Sequence, residues 1–366
     1  MRPDRGRIGE LLAMRIAQVP PLYEAVPPRL YGGTERVVAH LTDALVELGH
    51  DVTLFASAEA QTKAKLVVVR DQAIRLDPAP LKSDLAAHLA MLLEVRDRAD
   101  DFDILHFHTD MLQFGLFADM AEKTLTTLHG RLDLKDLPNL YRRYPEFGLV
   151  SISDSQRAPL PEANWVGTVL HGLHSDVDTY RDRSEGYLAF LGRISPEKGP
   201  ERAIAIARSV GRKLKIAAKV DQADVAYFHE VVEPLLADPL VEFVGEIGDQ
   251  DKGAFLGGAD ALLFPIDWPE PFGLVMIESM AAGTPVIAYE RGSVREVIED
   301  GLTGFIVNSQ AEAVSAVGRL GELSRRAIRD RFDLRFSATA MARRYQTLYD
   351  QMIETGDVGL SLARSA

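Results

Sequence analysis

The chain of 366 residues contains no cysteine, which removes disulfides, thiolate metal sites and cysteine nucleophiles together. It is also short of positive charge: Lys and Arg number 41 against 54 Asp and Glu, a formal net charge of -13. Such a surface repels nucleic-acid phosphates and anionic lipid, so neither is expected as a bulk partner. No apolar run approaches the roughly 20 residues that span a bilayer. The opening MRPDRGRIGELLA is charged and lacks the apolar core of a secretory signal. A strand pattern starts only at Met14, so residues 1–13 read as an extension or an early start codon. The expected location is the cytoplasm, and peripheral association with the inner membrane is compatible with the sequence.

What is present describes a soluble globular protein, with 46% hydrophobic and 26% charged residues. The length exceeds that at which one core stops growing, so two domains are expected. Short β-branched or apolar runs alternate with helical patterns almost throughout. The first half places strands at Arg15–Val19, Asp51–Ala56, Ile104–His108, Thr124–His129, Leu149–Ile152 and Val166–Leu170, with helices at Glu35–Leu48 and Asp84–Arg98. The second half repeats the scheme near Tyr187–Leu191, Leu214–Ala218, Val241–Val244, Ala261–Phe264, Pro285–Ala288 and Gly304–Val307. This alternation predicts an α/β fold: two doubly wound, parallel-sheet, Rossmann-like domains facing a cleft. Residues 14–173 and 187–335 are the expected domains, with the polar stretch 174–186 as linker. The terminal segment 336–366 holds a last helix placed to pack back across that linker. Ligands of such sheets collect at the carboxyl ends of the strands, where helix N-termini present free N–H groups.

Four groups of residues fall at those ends. Gly32 and Gly33 open a helix after a Pro-rich loop; they suit close approach to a phosphate and equally suit a tight turn. Arg193 and Lys198, in GRISPEKG, follow the first strand of the second half. They would neutralise a diphosphate, or form an ordinary solvated basic loop. The segment Glu270-Pro271-Phe272-Gly273-Leu274 follows the apolar strand ALLFPI and leads into a helix whose first free N–H groups point to the cleft. Glu270 precedes that helix, and Glu278 lies more than a turn inside it. An ionised carboxylate there is an acceptor suited to vicinal hydroxyls. Glu278 sits among Val275, Met276, Ile277 and Met280, which makes a solvent-facing role less comfortable. Among the histidines, His129 in TLHG ends a strand and is the better site candidate. His106 reads as core or support, His108 stays open, and His171 is placed near the hinge. Asp101-Phe102-Asp103 has a metal-binding spacing but precedes its strand, at the wrong sheet edge, and reads as a solvated turn. No metal site is expected.

Together, YGGTERVV (31–38), TLHG (127–130), GRISPEKG (192–199), EPFGLVMIE (270–278), AAGTPVIA (281–288) and GLTGFIV (301–307) resemble retaining glycosyltransferase family 4, of GT-B fold, over nearly the whole chain. The resemblance implies that Arg193 and Lys198 bind the diphosphate of a nucleotide-sugar donor and Glu278 its ribose. Glu270 would hold the sugar hydroxyls, and His129 would face the transferred sugar. Gly33 and the amides of Phe272, Gly273 and Leu274 would complete the cradle, with Gly245–Ile247 near the base. It also implies transfer of a hexose from a UDP- or GDP-sugar to a hydroxyl of a small-molecule, lipid or glycan acceptor. The anomeric configuration would be retained, with no metal or other cofactor. The family's usual Asn-Gly-Val/Ile-Asp after the first domain reads His171-Gly172-Leu173-His174 here, which puts the hinge contacts in question. The alternatives are a sugar-nucleotide epimerase or a phosphorylase on the same fold, a nicotinamide oxidoreductase, and a non-catalytic sugar-nucleotide-binding protein. The oxidoreductase would need Gly-x-Gly-x-x-Gly directly after the first strand, where a Pro-rich loop stands instead.

Overall fold

The computed structural model describes residues 13–29, 32–174 and 180–363, with side chains as far as 355. Tyr31 of the first glycine motif, most of the proposed N-terminal extension and residues 175–179 of the expected linker lie outside them.

Thirteen strands form two all-parallel sheets among the described residues. The first sheet holds β1 (Arg15–Val19), β2 (Asp51–Ser57), β3 (Lys65–Arg70), β4 (Ile104–Phe107), β5 (Thr124–Thr127), β6 (Gly148–Ser151) and β7 (Trp165–Thr168), in the order β3-β2-β1-β4-β5-β6-β7. The second holds β8 (Tyr187–Arg193), β9 (Lys213–Lys219), β10 (Val241–Gly245), β11 (Ala259–Phe264), β12 (Val286–Tyr289) and β13 (Gly304–Val307), in the order β10-β9-β8-β11-β12-β13. In both, the order reverses beside the first strand in sequence, so the crevice at that switch point opens at the carboxyl edge.

These strands form because both of their faces are covered. β2 buries Val52 through Ser57 without a polar-out alternation, as expected of a parallel strand between helical layers. The helix Gly33–Glu47 turns Val37, Leu41, Ala44 and Leu45 inward onto Ile16, Val52 and Ile104. That three-and-four spacing of apolar residues makes it an amphipathic helix. β3 was not among the strands expected from sequence. It is an edge strand, half-exposed along its length, and its Val-rich run sits between charged residues. Four strands of the first sheet also end earlier than expected, at Phe107, Thr127, Ser151 and Thr168; the first two leave His108 and His129 on loops at the carboxyl edge.

The terminal helix, Ala338–Ala363, crosses back to the first sheet. Met341, Ala342, Tyr345 and Tyr349 pack in one core with Val37, Leu41, Leu125 and Val150. The unusual His-Gly-Leu-His segment serves this crossing. Leu173 N–H donates to Phe336 O at 2.9 Å, and Ala338 N–H returns a bond to Leu173 O at 2.9 Å. Gly172 lies so close that a Cβ would stand 2.5 Å from Ser337 O. Among the described residues no helix is long and apolar enough to cross a membrane.

Candidate functional site

A cavity of about 590 Å³ lies between the two sheets. Of the residues singled out from sequence, Gly32, Gly33, His129, Arg193, Lys198, Ile247, Glu270, Phe272, Gly273, Leu274 and Glu278 line it. Gly245 does not. It ends β10 with φ of 85°, and the chain turns so that Glu246 and Ile247 reach the cavity in its place.

The loop before the helix Leu274–Ala281 owes its shape to close backbone contacts. Gly273 caps that helix in the left-handed region, φ 79°, which glycine tolerates without a Cβ penalty. Ser293 N–H donates to Glu270 O at 3.0 Å and the Ser293 hydroxyl to Phe272 O at 2.8 Å. From the first domain, the Ser153 hydroxyl donates to Pro271 O at 2.6 Å. The loop is therefore fixed from both sides, and the unpaired N–H groups that begin every helix are left at the cavity wall.

Lys198 pairs with the Glu270 carboxylate. The same Glu270 oxygen accepts from Trp268 Nε1 at 3.0 Å, and the Lys198 ammonium stands 4.7 Å from the centre of the Trp268 ring. Arg193 binds Glu197 at 2.9 Å and Asp221 at 3.4 Å. Glu278 Oε1 accepts from Arg36 at 2.6 Å and from Lys252 at 3.3 Å. Arg36, Lys252, Trp268 and Gln18 were not singled out from sequence. Only Arg36 carried a local signal, being the charged residue one turn inside the glycine-opened helix.

Behind His129 runs a buried hydrogen-bonded chain. His108 Nε2 meets Gln18 Oε1 at 2.8 Å, and His108 Nδ1 meets His129 Nε2 at 2.9 Å. Burial holds the His129 imidazolium down to a pKa of about 3 and His108 well below the usual range, so both rings are neutral. A neutral ring carries one proton. The amide oxygen can only accept, so the proton of His108 is on Nε2; the shared proton then belongs to His129 Nε2, and His129 Nδ1 is bare. That bare nitrogen is buried without a partner among the described residues. Gln18 is in turn placed by Tyr349 of the crossing helix, at 3.3 Å, and the Tyr349 hydroxyl lies 2.8 Å from His106 Nδ1. His106 is thus a wholly buried supporting residue. His171 stacks on His129, ring centres 5.1 Å apart, and meets Phe272 edge-on.

The rejected Asp-x-Asp lies where the sequence placed it, at the amino edge. Asp103 pairs there with Arg15 at 2.9 Å. Among the described residues no group of three or more His, Asp or Glu side chains is arranged to hold a metal ion.

Two facing parallel-sheet domains with a cleft at their carboxyl edges and a terminal helix crossing back define the GT-B class of glycosyltransferase. Known proteins agree. The description "Glycosyltransferase Family 4" matches residues 31–229, and "Glycosyl transferases group 1" matches residues 178–331. The chain belongs to glycosyltransferase family 4 and is a glycosyltransferase. It is similar to the phosphatidyl-myo-inositol mannosyltransferase of Mycolicibacterium smegmatis, 27% identical over 92% of this chain and 94% of that protein. It is likewise 27% identical to a glycogen synthase of Mycobacterium tuberculosis, over 87% of this chain and 92% of the other. The fold is shared with a sucrose-phosphate synthase of Thermosynechococcus elongatus, at TM-score 0.73 and 19% identity over 93% of this chain and all of that one.

Proposed function

We propose that this glycosyltransferase moves a hexose from a UDP- or GDP-sugar to an acceptor hydroxyl, with retention of anomeric configuration and without a metal. The observation that carries the reading is the convergence on one cavity of Arg193, Lys198, Glu270, Glu278 and the start of the helix Leu274–Ala281. These supply fixed positive charge and free N–H groups for a diphosphate, beside two carboxylates suited to hydroxyls. The charge-neutralising work of a metal would fall to Arg193 and Lys198.

In this reading the bond from the acceptor oxygen to the anomeric carbon forms as the bond to the donor phosphate breaks, on one face of the sugar. The acceptor proton passes to the departing phosphate oxygen. Stabilisation of the leaving group and closure of the domains against water supply the rate. His129, with no proton on Nδ1, acts by orientation rather than as an acid. One relative is named for a lipid acceptor and another for a glycan, so both classes are candidates here. The test is the anomer first formed, followed by NMR during turnover of an α-linked nucleotide sugar. An α-linked product supports the reading and a β-linked product overturns it; conversion of the donor without any acceptor would favour an epimerase.

A further inference from the structure

Arg36 sits one turn into the helix Gly33–Glu47, in the first domain, and its guanidinium reaches across to the second. Its guanidinium reaches Glu278 Oε1 at 2.6 Å and Asp249 Oδ1 at 2.5 Å. Lys252 closes the figure, 2.8 Å from Asp249 and 3.3 Å from Glu278. Two cations and two carboxylates therefore alternate around a square, and Arg36 is the one corner that comes from the opposite domain. Its side chain is 8% exposed and that of Glu278 12% exposed. Both cations bind Oε1 of Glu278.

We propose that Arg36 is a positioning residue for donor binding: from across the cleft it fixes the Glu278 carboxylate to receive the hydroxyl pair of the nucleotide. The inference rests on the donor-site reading given above. Its physical content is pre-organisation, since a carboxylate already held in place loses less freedom when it grips a ligand. It also links gripping to closure. Separating the domains breaks the Arg36 contacts to Glu278 and Asp249 and leaves Glu278 with Lys252, at the longer of the two distances. A donor held by Glu278 thus favours the closed arrangement, and closure favours the donor.

The experiment is steady-state kinetics with a turned-over nucleotide sugar for Arg36→Met, Arg36→Lys, Glu278→Gln and the double variant Arg36→Met/Glu278→Gln, with melting temperatures measured alongside. The expected result is a donor KM raised about tenfold in Arg36→Met, the equivalent of one well-placed charged hydrogen bond, with kcat changed far less. Arg36→Lys, which keeps the charge, should recover part of the loss. The double variant should bind donor no worse than Glu278→Gln alone, because the two residues act through one carboxylate. Additive losses in the double variant, or an unchanged KM in folded Arg36→Met beside a raised KM in Glu278→Gln, would overturn the role of Arg36 and leave the donor site standing. An unchanged KM in Glu278→Gln would overturn both. If Arg36→Met does not fold, the Arg36→Lys value decides: a KM equal to that of the wild type contradicts the proposal, and a raised one with kcat retained supports it.

Discussion

Gly292 offers a sharp test of how the loop that carries Glu270 is built. Its φ is +54°, and a Cβ placed on it would overlap the backbone N and O of Glu270 and stand 2.7 Å from Pro269 C. In Gly292→Ala the left-handed backbone alone costs about 1–2 kcal/mol. The overlap is with main chain, which cannot rotate away, so the loop carrying Glu270 must shift and the Ser293 N–H to Glu270 O bond is strained. Overpacking of that kind adds about 1–3 kcal/mol, and a lost hydrogen bond about 1 kcal/mol more. Gly301 provides the control: its φ is +75° with nothing within 4 Å of a Cβ, so Gly301→Ala should cost only the backbone part. Differential scanning fluorimetry of both variants, with and without nucleotide sugar, separates the terms. Gly292→Ala should melt several degrees below Gly301→Ala and lose its response to donor, while Gly301→Ala keeps the response. Equal melting temperatures and intact donor stabilisation in both would refute the claim that contact with Gly292 shapes the loop.

Three further outcomes follow from the same geometry. Burial holds His129 and His40 neutral down to about pH 3, with His106, His108 and His171 also pushed well down. The unfolded chain takes up protons on these rings below about pH 6.5 and the native chain does not. Stability is therefore complete above that pH and falls as pH drops towards 3, by at most about 1.4 kcal/mol per pH unit for each such ring; denaturant midpoints measured from pH 8 to 5 should fall only below about 6.5, with a shallower fall in His40→Gln. Tyr349→Phe removes a hydroxyl bonded to His106 and Gln18 inside the core and should cost about 1–3 kcal/mol, read as a lowered denaturant midpoint with nothing else repacked. Transfer assayed with excess chelator should proceed at the untreated rate, and a loss restored by a divalent cation would contradict the metal-free reading.

Much of the architecture was legible because parallel α/β chains write it locally. Each strand is a short apolar run, each site loop follows a strand, and Gly273 and Gly33 mark helix starts that need no distant information. The pairs Glu270 with Glu278, and Arg193 with Lys198, were visible for the same reason, since each is set by one strand-to-helix turn. Of the segment Gly245–Ile247, the last two residues line the cavity and Gly245 ends β10 just before them. The supporting residues were hidden by distance. Arg36 and Glu278 are 242 positions apart, and Gln18 and Tyr349 are 331 apart, so no local pattern connects them. Gln18 reads from sequence as one polar residue in an apolar strand. Its meaning, an amide that fixes the tautomers of two histidines, appears only when the terminal helix crosses back. Likewise His171-Gly172-Leu173-His174 departs from the family pattern at its two histidines, and His171 finds its surroundings only in three dimensions, stacked on His129 and edge-on to Phe272.

The central claim is that the cavity binds a nucleotide sugar through Lys198 and Glu278. The direct measurement is a thermal-shift series with UDP-, GDP- and ADP-sugars on the wild type, Lys198→Ala and Glu278→Ala. The expected result is stabilisation of the wild type by one base series, and its loss in both variants. Wild-type protein that none of these ligands stabilises, or variants that respond as fully as the wild type, would contradict it.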